Sequence, residues 1–430
     1  MSLPPPIAAA LNNAEALAAR QMLDEAEQVL AAFPDNVDCV FRRASVLMTL
    51  ERWADAEACF RKILAVAPRH FDSAMGFAGS LLEQGKAEQA LPWLEAAVRA
   101  QPSGRTKFFL GVALDETGAR DRAQALLAEA RTTVIGQAEA RGLMPTEIYL
   151  QISRRCNLRC AMCGHEVWKS NSGFMEMDVF TRTLDQAQEN GIKTLHILSG
   201  QGEPMLNPHV FDMLELAVSR GFAVGIVTNG TPLTEERCEK LAGMGLAYVQ
   251  FSFAGWDKAS YEATYVGAKF EKTLANLQTL MRVAKGSKTN VFVKAVCTGD
   301  DWETVRRNTR AFLESHGIDR IVTVVANNFG GNVTHGRFFD HLGVWSLKPI
   351  EHRRLMPCRV LLRAVGVFCD GTVTACGCYD SNAELKIGHI MEQSLKDIRH
   401  GEAFKSIVDA FRCGDVSGVP MCGKCDDPFG

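Results

Sequence analysis

The residues with the clearest chemical potential in this chain are three closely spaced cysteines, Cys156, Cys160 and Cys163. Three thiolates separated by three and then two residues, directly after the extended run 147–153, have the form of an iron-sulfur site on a loop leaving a strand. A four-iron cluster with three protein ligands keeps one iron open for an atom of a substrate or cofactor. Zinc binding and simple burial are the alternatives, with His165 the only near residue to complete a zinc site.

A second chemical signal follows about forty residues later, in the run 198–204. Gly202 allows a close approach of two backbone segments, and Pro204 fixes the turn. With the cysteine loop, this run resembles the radical S-adenosylmethionine (SAM) superfamily, whose hallmarks are a C-x3-C-x2-C loop after the first barrel strand and a GGEP motif. Gln201 stands here in place of the first Gly. The resemblance implies that the amino group of SAM is held by Gly202, Glu203 and Pro204.

The same resemblance implies that the three cysteines hold a 4Fe-4S cluster whose open iron binds SAM. Asn229 and Ser252 are the candidates for the polar parts of SAM, although either could serve only as a strand-end turn. Met162 stands where the family usually has an aromatic residue packing on adenine, and its polarizable thioether can fill that place. Lys294 could contact the SAM carboxylate or face outward.

The amino-acid composition limits the classes of protein to which the chain can belong. A chain of 430 residues with 47% hydrophobic content can bury several cores, which favours two to four domains. Lys plus Arg number 47 against 50 Asp plus Glu, so no basic field indicates nucleic acid or an anionic membrane. The absence of a long apolar run and of a signal peptide predicts a cytoplasmic protein, in which most of the 14 cysteines are reduced ligands or buried thiols.

The first 135 residues are rich in Ala and Leu and have an internal period. Pro34, Pro68 and Pro102 are 34 residues apart, and Ala56 and Ala90 each stand twelve residues before a proline. This pattern resembles tetratricopeptide (TPR) repeats, in which the small residue lets two helices pack closely and the proline ends the second helix. A non-repetitive helical bundle is the alternative. Three repeat units are predicted, over 37–68, 71–102 and 104–135. A degenerate unit at 7–33 is predicted to act as a cap.

After a predicted linker at 136–145, the pattern changes to alternating strands and helices. The predicted strands are 146–153, 193–199, 222–228, 247–253, 289–297 and 320–326, and the predicted helices are 176–190, 207–220, 234–243, 270–285 and 301–316. Six such units suit the partial (β/α)6 barrel of the radical SAM family. Ligands of such barrels gather at the carboxyl ends of the strands.

The last segment carries a second cysteine set. Asp370-Gly371, flanked by β-forming residues, predicts a hairpin turn, and a helix is predicted near 394–411. The pattern resembles the twitch domain, the shortened form of the SPASM extension of radical SAM enzymes. It implies one auxiliary 4Fe-4S cluster held by Cys358, Cys376, Cys422 and Cys425. A zinc site at the same residues is the alternative, and Cys369, Cys378 or Cys413 could replace a ligand.

The predicted fold class is therefore α/β, a partial (β/α)6 radical SAM barrel with an N-terminal all-α TPR solenoid and a small C-terminal α+β twitch/SPASM-like domain. The predicted domains are the TPR-like region 1–135, the linker 136–145, the barrel 146–350 and the auxiliary domain 351–430.

The resemblance implies reductive cleavage of SAM to a 5′-deoxyadenosyl radical, which abstracts a hydrogen from an unreactive C–H bond. An electron donor such as flavodoxin or ferredoxin is expected, and no catalytic residue beyond the SAM cluster is identified. Because TPR repeats build a concave peptide-binding surface, the favoured substrate is a peptide or protein that is oxidised, crosslinked or epimerised. The alternatives are a radical dehydrogenase or epimerase acting on a sugar or aminocyclitol, and a non-catalytic TPR scaffold with redox-sensing clusters.

Overall fold

The computed structural model describes residues 4–19, 23–50, 52–164, 173–198, 202–298, 302–325, 356–377 and 379–425. His165, Gln201 and Cys378, for which predictions were made from the sequence, lie outside these residues. The chain divides into two compact units, one built on the N-terminal helices and the other on a sheet with its flanking helices.

The N-terminal unit consists of consecutive antiparallel helix pairs, as the period of 34 residues predicts. Pro68 and Pro102 each lie two residues after the last residue of the second helix of a pair, beyond the cap residue, where a missing N–H costs nothing. The helices are α1 (Pro5–Ala19), α2 (Leu23–Ala31), α3 (Val37–Thr49), α4 (Trp53–Val66), α5 (Phe71–Glu83), α6 (Ala87–Ala100), α7 (Gly104–Glu116) and α8 (Arg120–Glu139).

Small residues bring neighbouring helices of this unit together. Ala56 and Ala90, the residues that mark the repeat, are fully buried in its core. A Cβ atom added to Gly76 on α5 would overlap the ring of Phe60 on α4, and one added to Gly111 would press on Leu127. The close helix packing of a TPR array is therefore present here, which confirms the repeats.

Helix α8 continues through Gly136 to Glu139, so the first four residues of the predicted linker are helical. A glycine inside a helix costs only about 1 kcal/mol relative to alanine, which one more turn of a long helix easily offsets.

The second unit is organised around one sheet whose first six strands run parallel in sequence order. Its strands are β1 (Glu147–Leu150), β2 (Thr194–Ile197), β3 (Ala223–Thr228), β4 (Tyr248–Ser252), β5 (Val291–Cys297), β6 (Ile321–Val325), β7 (Ala364–Val367), β8 (Thr372–Thr374) and β9 (Lys386–His389). All six predicted barrel strands are confirmed. Within the described residues the sheet stays open, with β6 and β9 at its edges.

Alternation along the strands separates two faces of the sheet. Ile148 and Leu150 on β1, like Leu195 and Ile197 on β2, are fully buried. The residues between them, such as His196, are partly exposed on the opposite face. Successive side chains of a strand point to opposite faces of the sheet. The helices cover the face that carries the fully buried residues, and the face that carries the partly exposed residues is the inner face of the partial barrel.

The helices of this unit follow the strands as predicted, with three differences, one of which is the unpredicted short helix Arg359–Arg363. They are α9 (Met177–Glu189), α10 (Val210–Ser219), α11 (Glu235–Gly243), α12 (Lys258–Thr264), α13 (Phe270–Val283), α14 (Trp302–Ser315), α15 (Arg359–Arg363), α16 (Leu395–His400) and α17 (Glu402–Cys413). The short helix α12 was not predicted. The helix predicted at 394–411 is wrong as one element, because Gly401 adopts an extended conformation and splits it into α16 and α17.

The predicted hairpin is confirmed, since β7 and β8 pair antiparallel about Asp370 and Gly371. Gly371 has a φ of +89°, a conformation that favours glycine. The pairing of β7 with β1 was not predicted. Strand β7 lies parallel to β1 on the edge that β2 does not occupy, so the C-terminal hairpin extends the barrel sheet.

Candidate functional site

The three cysteines Cys156, Cys160 and Cys163 lie on the loop that follows β1, and each is partly buried. The amide of Arg159 donates to the Val266 carbonyl, and the amide of Ala161 donates to the Thr264 carbonyl, both at 2.9 Å. These bonds lie on either side of Cys160 in the sequence. The end of α12 and the residues directly after it therefore hold the middle of the cysteine loop in place.

The turn after β2 abuts the start of the same loop. A Cβ atom on Gly202 would overlap the carbonyl oxygen of Ser153, so only glycine permits this approach. The amide of Glu203 donates to the Arg155 carbonyl at 2.8 Å. Pro204 then opens a short 3-10 helix. The close approach expected of Gly202 is thus present, whereas its contact with SAM stays a prediction.

Glu203 is fully buried, and both of its carboxylate oxygens accept hydrogen bonds from the protein. Oε1 accepts from the Met205 amide at 2.9 Å and the Thr228 hydroxyl at 2.7 Å, and Oε2 accepts from the Asn229 amide at 2.7 Å. Burial raises the pKa of Glu203 to about 7, although these donors oppose the rise. The carboxylate therefore ties the end of β3 to the turn after β2.

Asn229, a predicted SAM contact from the end of β3, lies beside the first of the three cysteines. Its Nδ2 atom lies 3.8 Å from Cys156 Sγ and donates to Asn157 Oδ1 at 3.1 Å. Its Oδ1 atom accepts from the amide of Thr231 at 2.9 Å. The side chain is therefore oriented from both ends, beside the first of the three thiols.

The remaining predicted SAM contacts occupy the same edge of the sheet, where the parallel strands end. Ser252 is the last residue of β4, and Lys294 is its register partner on β5. Both belong to the partly exposed inner face. Met162 is mostly buried next to Cys163. The predicted residues thus share one end of the barrel, and their individual roles stay predictions.

The chemistry of the three thiols fits a cationic iron-sulfur group. Burial raises the pKa of the Cys160 thiol, and the neighbouring Cys163 and Cys156 raise it further. Burial also raises the pKa of Cys156. Three close thiolates repel one another, so a bound cationic centre is needed to keep all three ionised. Within the described residues no three His, Cys, Asp or Glu side chains form a group of the kind that could hold a single metal ion.

The second cysteine set is assembled from separate segments. Cys358 precedes α15, Cys376 follows β8, Cys422 begins a short 3-10 turn, and Cys425 directly follows that turn. Burial raises the pKa of the Cys422 thiol to about 12, with Cys376 and Cys358 as further causes. These three thiols are therefore close in space, although their role as ligands stays a prediction.

The surplus cysteines have different surroundings. Cys369 is buried, its Sγ atom lies 3.7 Å from Gln151 Oε1, and its charged neighbours are Arg154 and Asp370. Cys413 is exposed at the end of α17. The charged neighbours that raise the pKa of the Cys422 thiol are Cys376, Cys358 and Asp380.

Two buried charged residues near the second set were missed by sequence reasoning. Asp380 accepts from the Thr374 hydroxyl at 2.5 Å and from the Leu385 amide at 2.8 Å, which shapes the loop after Cys376. Arg399 has no exposed surface, and burial lowers its pKa to about 9. Its Nε and Nη1 atoms donate to the carbonyls of Leu143 and Leu361. No local motif marks Arg399, because its acceptors are distant in sequence, whereas the partners of Asp380 lie within six residues of it.

The family comparisons agree with this architecture. Residues 150–324 match the radical SAM superfamily, residues 41–105 match the tetratricopeptide repeat, and residues 358–426 match the iron-sulfur cluster-binding domain known as SPASM. Residues 150–324 are thus a radical SAM region, with TPR repeats before it and a SPASM region after it.

Two curated relatives show how much of this chain is similar to known proteins. The tungsten-containing aldehyde ferredoxin oxidoreductase cofactor-modifying protein of Pyrococcus furiosus is 32% identical over 178 residues, 41% of this chain and 50% of that protein. The PqqA peptide cyclase of Bradyrhizobium diazoefficiens is 34% identical over 119 residues, 27% of this chain and 30% of that protein. The matches thus span half or less of these relatives.

Among solved structures, the chain is similar to SuiB of Streptococcus suis bound to precursor peptide SuiA. The TM-score is 0.51 at 16% identity, covering 71% of this chain and 83% of that chain. At this identity the similarity concerns the fold alone. None of the described helices is long and apolar enough to cross a membrane.

Proposed function

We propose that this protein is a cytoplasmic radical SAM enzyme that modifies a peptide or protein substrate. Cys156, Cys160 and Cys163 would hold a 4Fe-4S cluster, and SAM would be bound by Met162, Asn229, Ser252 and the turn Gly202–Glu203–Pro204. When bound, the cluster and SAM supply an electron-driven cleavage of SAM to a 5′-deoxyadenosyl radical, which abstracts hydrogen from an unreactive C–H bond.

The contribution of the protein is to orient these groups. Glu203 carries no exposed surface and joins the turn after β2 to Thr228 and Asn229. Asn229 in turn is held beside Cys156. Rigid support of this kind keeps the reacting groups in one geometry.

The observation that carries the choice of substrate is the TPR array in the same chain as the cysteine loop. Such arrays present an extended surface that suits a peptide segment. Curated relatives named PqqA peptide cyclase match 119 residues of this chain, and the SuiB structure holds a precursor peptide. We infer that the repeats bind part of a peptide while the barrel acts on another part.

A small-molecule substrate is the second candidate, favoured by the match to the Pyrococcus furiosus protein. That match extends over 178 residues, against 119 for the peptide cyclase, and the relative is named for modifying a cofactor. A short peptide encoded beside the gene would support the first candidate. Genes for sugar or cofactor biosynthesis would support the second.

The second cysteine set is proposed to hold an auxiliary 4Fe-4S cluster through Cys358, Cys376, Cys422 and Cys425. With a protein ligand on every iron, its natural role is electron transfer. That role favours an oxidised or crosslinked product, because the substrate radical must then lose a further electron. Reducing electrons would come from a donor of the flavodoxin or ferredoxin class.

The deciding experiment is anaerobic reconstitution followed by reduction in the presence of SAM. The proposal expects about eight irons per chain and release of 5′-deoxyadenosine. Bound zinc, or intact clusters with a strong reductant and no SAM cleavage, would instead favour the scaffold interpretation. Addition of the adjacently encoded peptide should then yield a product of altered mass.

A further inference from the structure

A chain of three hydrogen-bonded side chains crosses the inner face of the barrel sheet. His196 on β2 lies between Tyr248 on β4 and Glu147 on β1. Its Nδ1 atom is 2.8 Å from the Tyr248 hydroxyl, and its Nε2 atom is 3.3 Å from Glu147 Oε2. All three residues are partly exposed, so they line the interior of the barrel and not the core under the helices. These three residues form the inner-face triad.

A glycine on the strand between them lets the triad form. Gly225 on β3 is the register partner of both His196 and Tyr248, so β3 separates these two residues. A Cβ atom on Gly225 would overlap the ring of Tyr248. Because the glycine leaves this space open, the Tyr248 ring lies across β3 and its hydroxyl reaches His196.

The proton in each hydrogen bond of the triad has a defined direction. A carboxylate only accepts, so the bond to Glu147 requires a proton on Nε2 of His196. A neutral imidazole then presents Nδ1 as an acceptor, and the Tyr248 hydroxyl donates to it. In such an arrangement the imidazole can take the hydroxyl proton, and the carboxylate stabilises the cation that results.

One aromatic ring separates the triad from the second cysteine set. Tyr149 on β1 stacks on His196, with ring centroids 4.8 Å apart. A Cβ atom on Gly377, the residue after Cys376, would lie only 2.8 Å from the Tyr149 side chain. The segment that begins at Cys376 therefore packs on the inner face of the sheet, directly beside the ring that covers His196.

The predicted SAM end of the barrel lies further along the same strand. Ser252 follows Tyr248 by four residues on β4, which is about 13 Å along an extended strand. Gln250 lies between them on the inner face and is partly exposed. A substrate held in this interval has the SAM site on one side and the triad on the other, with the second cysteine set beyond the triad.

We propose that the inner-face triad accepts the proton that a substrate loses when its carbon radical is oxidised, and that the reacting carbon carries a hydroxyl or amino group. This inference rests on the proposed function, from which it takes the SAM-derived radical and the electron acceptor at the second cysteine set. Tyr248 touches the substrate and is the catalytic residue, whereas His196 and Glu147 act through it as positioning residues.

The proposed step balances in atoms and charge. A carbon radical that bears an O–H or N–H group becomes a C=O or C=N group by losing one electron and one proton. The electron leaves to the auxiliary iron-sulfur cluster proposed at the second cysteine set. The proton passes to the oxygen of Tyr248, whose own proton moves to Nδ1 of His196, and Glu147 stabilises the imidazolium cation.

A packing role is the alternative for the triad, because polar side chains can also fill the interior of a barrel. In a packing role, the loss of one hydrogen bond weakens the fold and affects every step of the reaction alike. In the proposed role, hydrogen abstraction continues and only the fate of the substrate radical changes. A measurement of that fate therefore separates the two roles.

The test is turnover, in D2O, of the peptide encoded beside the gene by the reconstituted full chain. Tyr248→Phe and His196→Gln should still release 5′-deoxyadenosine, but the ratio of oxidised peptide to 5′-deoxyadenosine should fall about tenfold or more. A radical that is not oxidised takes hydrogen from an exchangeable donor instead. The unmodified peptide recovered from these variants should therefore carry deuterium at the reacting carbon, as measured by mass spectrometry.

The matched control removes another histidine that lies beside a carboxylate. His209 Nδ1 is 3.6 Å from Asp212 Oδ2 at the start of α10, away from the inner face. His209→Gln should leave the product ratio and the deuterium content at wild-type values. Glu147→Gln should reduce the ratio less than His196→Gln, because the imidazole remains in place without its carboxylate.

The apoprotein provides a readout that needs no cluster. In NMR of protein with nitrogen-labelled histidine, the signals missing from His196→Gln identify His196 in the wild type. These signals should show an imidazole protonated at Nε2. Tyr248→Phe should shift the Nδ1 signal because it removes the hydroxyl donor, whereas His209→Gln should leave that signal unchanged.

An unchanged product ratio in the folded Tyr248→Phe and His196→Gln variants, or a neutral His196 protonated at Nδ1, would overturn this inference alone. A parallel loss of 5′-deoxyadenosine and oxidised peptide would also overturn it, because it would assign the triad a packing role. A wild-type protein that does not cleave SAM, or that leaves the peptide unmodified, would instead overturn the proposed function.

Discussion

The two cysteine sets are held by different kinds of scaffold. Cys156, Cys160 and Cys163 lie within eight residues on one loop, which is fastened by the turn after β2, by Asn229 and by the end of α12 with the residues directly after it. The second set brings together segments around Cys358, Cys376 and Cys422, with Asp380 and Arg399 buried nearby. The first geometry is therefore set mainly by a local loop, whereas the second depends on the packing of a whole region.

The largest effect is expected from removing the local set. Changing Cys156, Cys160 and Cys163 together to Ala should abolish 5′-deoxyadenosine formation and reduce bound iron from about eight to about four per chain. The remaining iron should have the spectrum of the auxiliary cluster, because the two sets share no ligand. Iron analysis and product chromatography measure both results. Complete loss of iron in a folded triple variant would contradict the independence of the sets.

The second set should respond differently. Replacing Cys422 and Cys425 by Ala should also reduce iron to about four per chain, while SAM cleavage without substrate persists. Formation of an oxidised peptide product should fall much further, because the substrate radical loses its electron acceptor. Cys413→Ala, which removes an exposed thiol at the end of α17, is the matched control. Equal loss of both activities in the folded double variant would leave the electron-transfer role unsupported.

A smaller effect is expected from removing the repeats. A chain beginning near Gly142 should keep both clusters and cleave SAM, whereas turnover of a full-length peptide substrate should fall tenfold or more. Each tenfold corresponds to about 1.4 kcal/mol of lost transition-state binding, here supplied by remote contacts. The measurement compares, for the full and the shortened chain, the modified peptide that is formed with the 5′-deoxyadenosine that is released without peptide modification. Unchanged peptide turnover would refute the recognition role, and loss of iron would mean that the cluster sites need the repeats to fold.

The smallest effect is expected from Glu203, the buried acid that supports the loop of Cys156, Cys160 and Cys163. Its pKa is raised to about 7, so between pH 4.5 and 7 the folded apoprotein retains a proton that the unfolded chain has lost. Stability from Glu203 therefore falls as pH rises through this window. The Gln side chain of the Glu203→Gln variant does not titrate. The free energy of unfolding of this variant, relative to that of the wild type, should therefore rise by about 1–3 kcal/mol between pH 5 and pH 8. Urea unfolding of both apoproteins measures this, and a pH-independent difference would show that Glu203 is not protonated near neutrality.

Prediction from sequence succeeded where the signal is periodic or contiguous. Apolar residues such as Ile148 and Leu150 placed β1 correctly, and the spacing of Pro68 and Pro102 placed the ends of α4 and α6. A cysteine loop after a strand was also readable, because its residues are adjacent in the chain.

Features that depend on distant partners were not predictable in this way. The burial of Tyr261 and Tyr265 follows from the loop after β4 packing behind Cys160, and no periodicity marks it. Arg399 resembles a surface residue of a short helix until its acceptors, Leu143 and Leu361, are brought beside it. The role of Glu203 as a tie between strand ends likewise required the register of β2 and β3.

The position of β1 between β2 and β7 affects how the protein is made. Strand β1 leaves the ribosome early, but the strand that covers its second edge is synthesised roughly two hundred residues later. At 5–20 residues per second, that edge stays uncovered for roughly 10–40 s. During this interval the nascent chain exposes one unpaired edge of β1 beside a loop of three thiols, a state prone to aggregation and to oxidation. Slow translation or early termination before residue 364 should therefore be more harmful to the yield of soluble protein than loss of the last few residues.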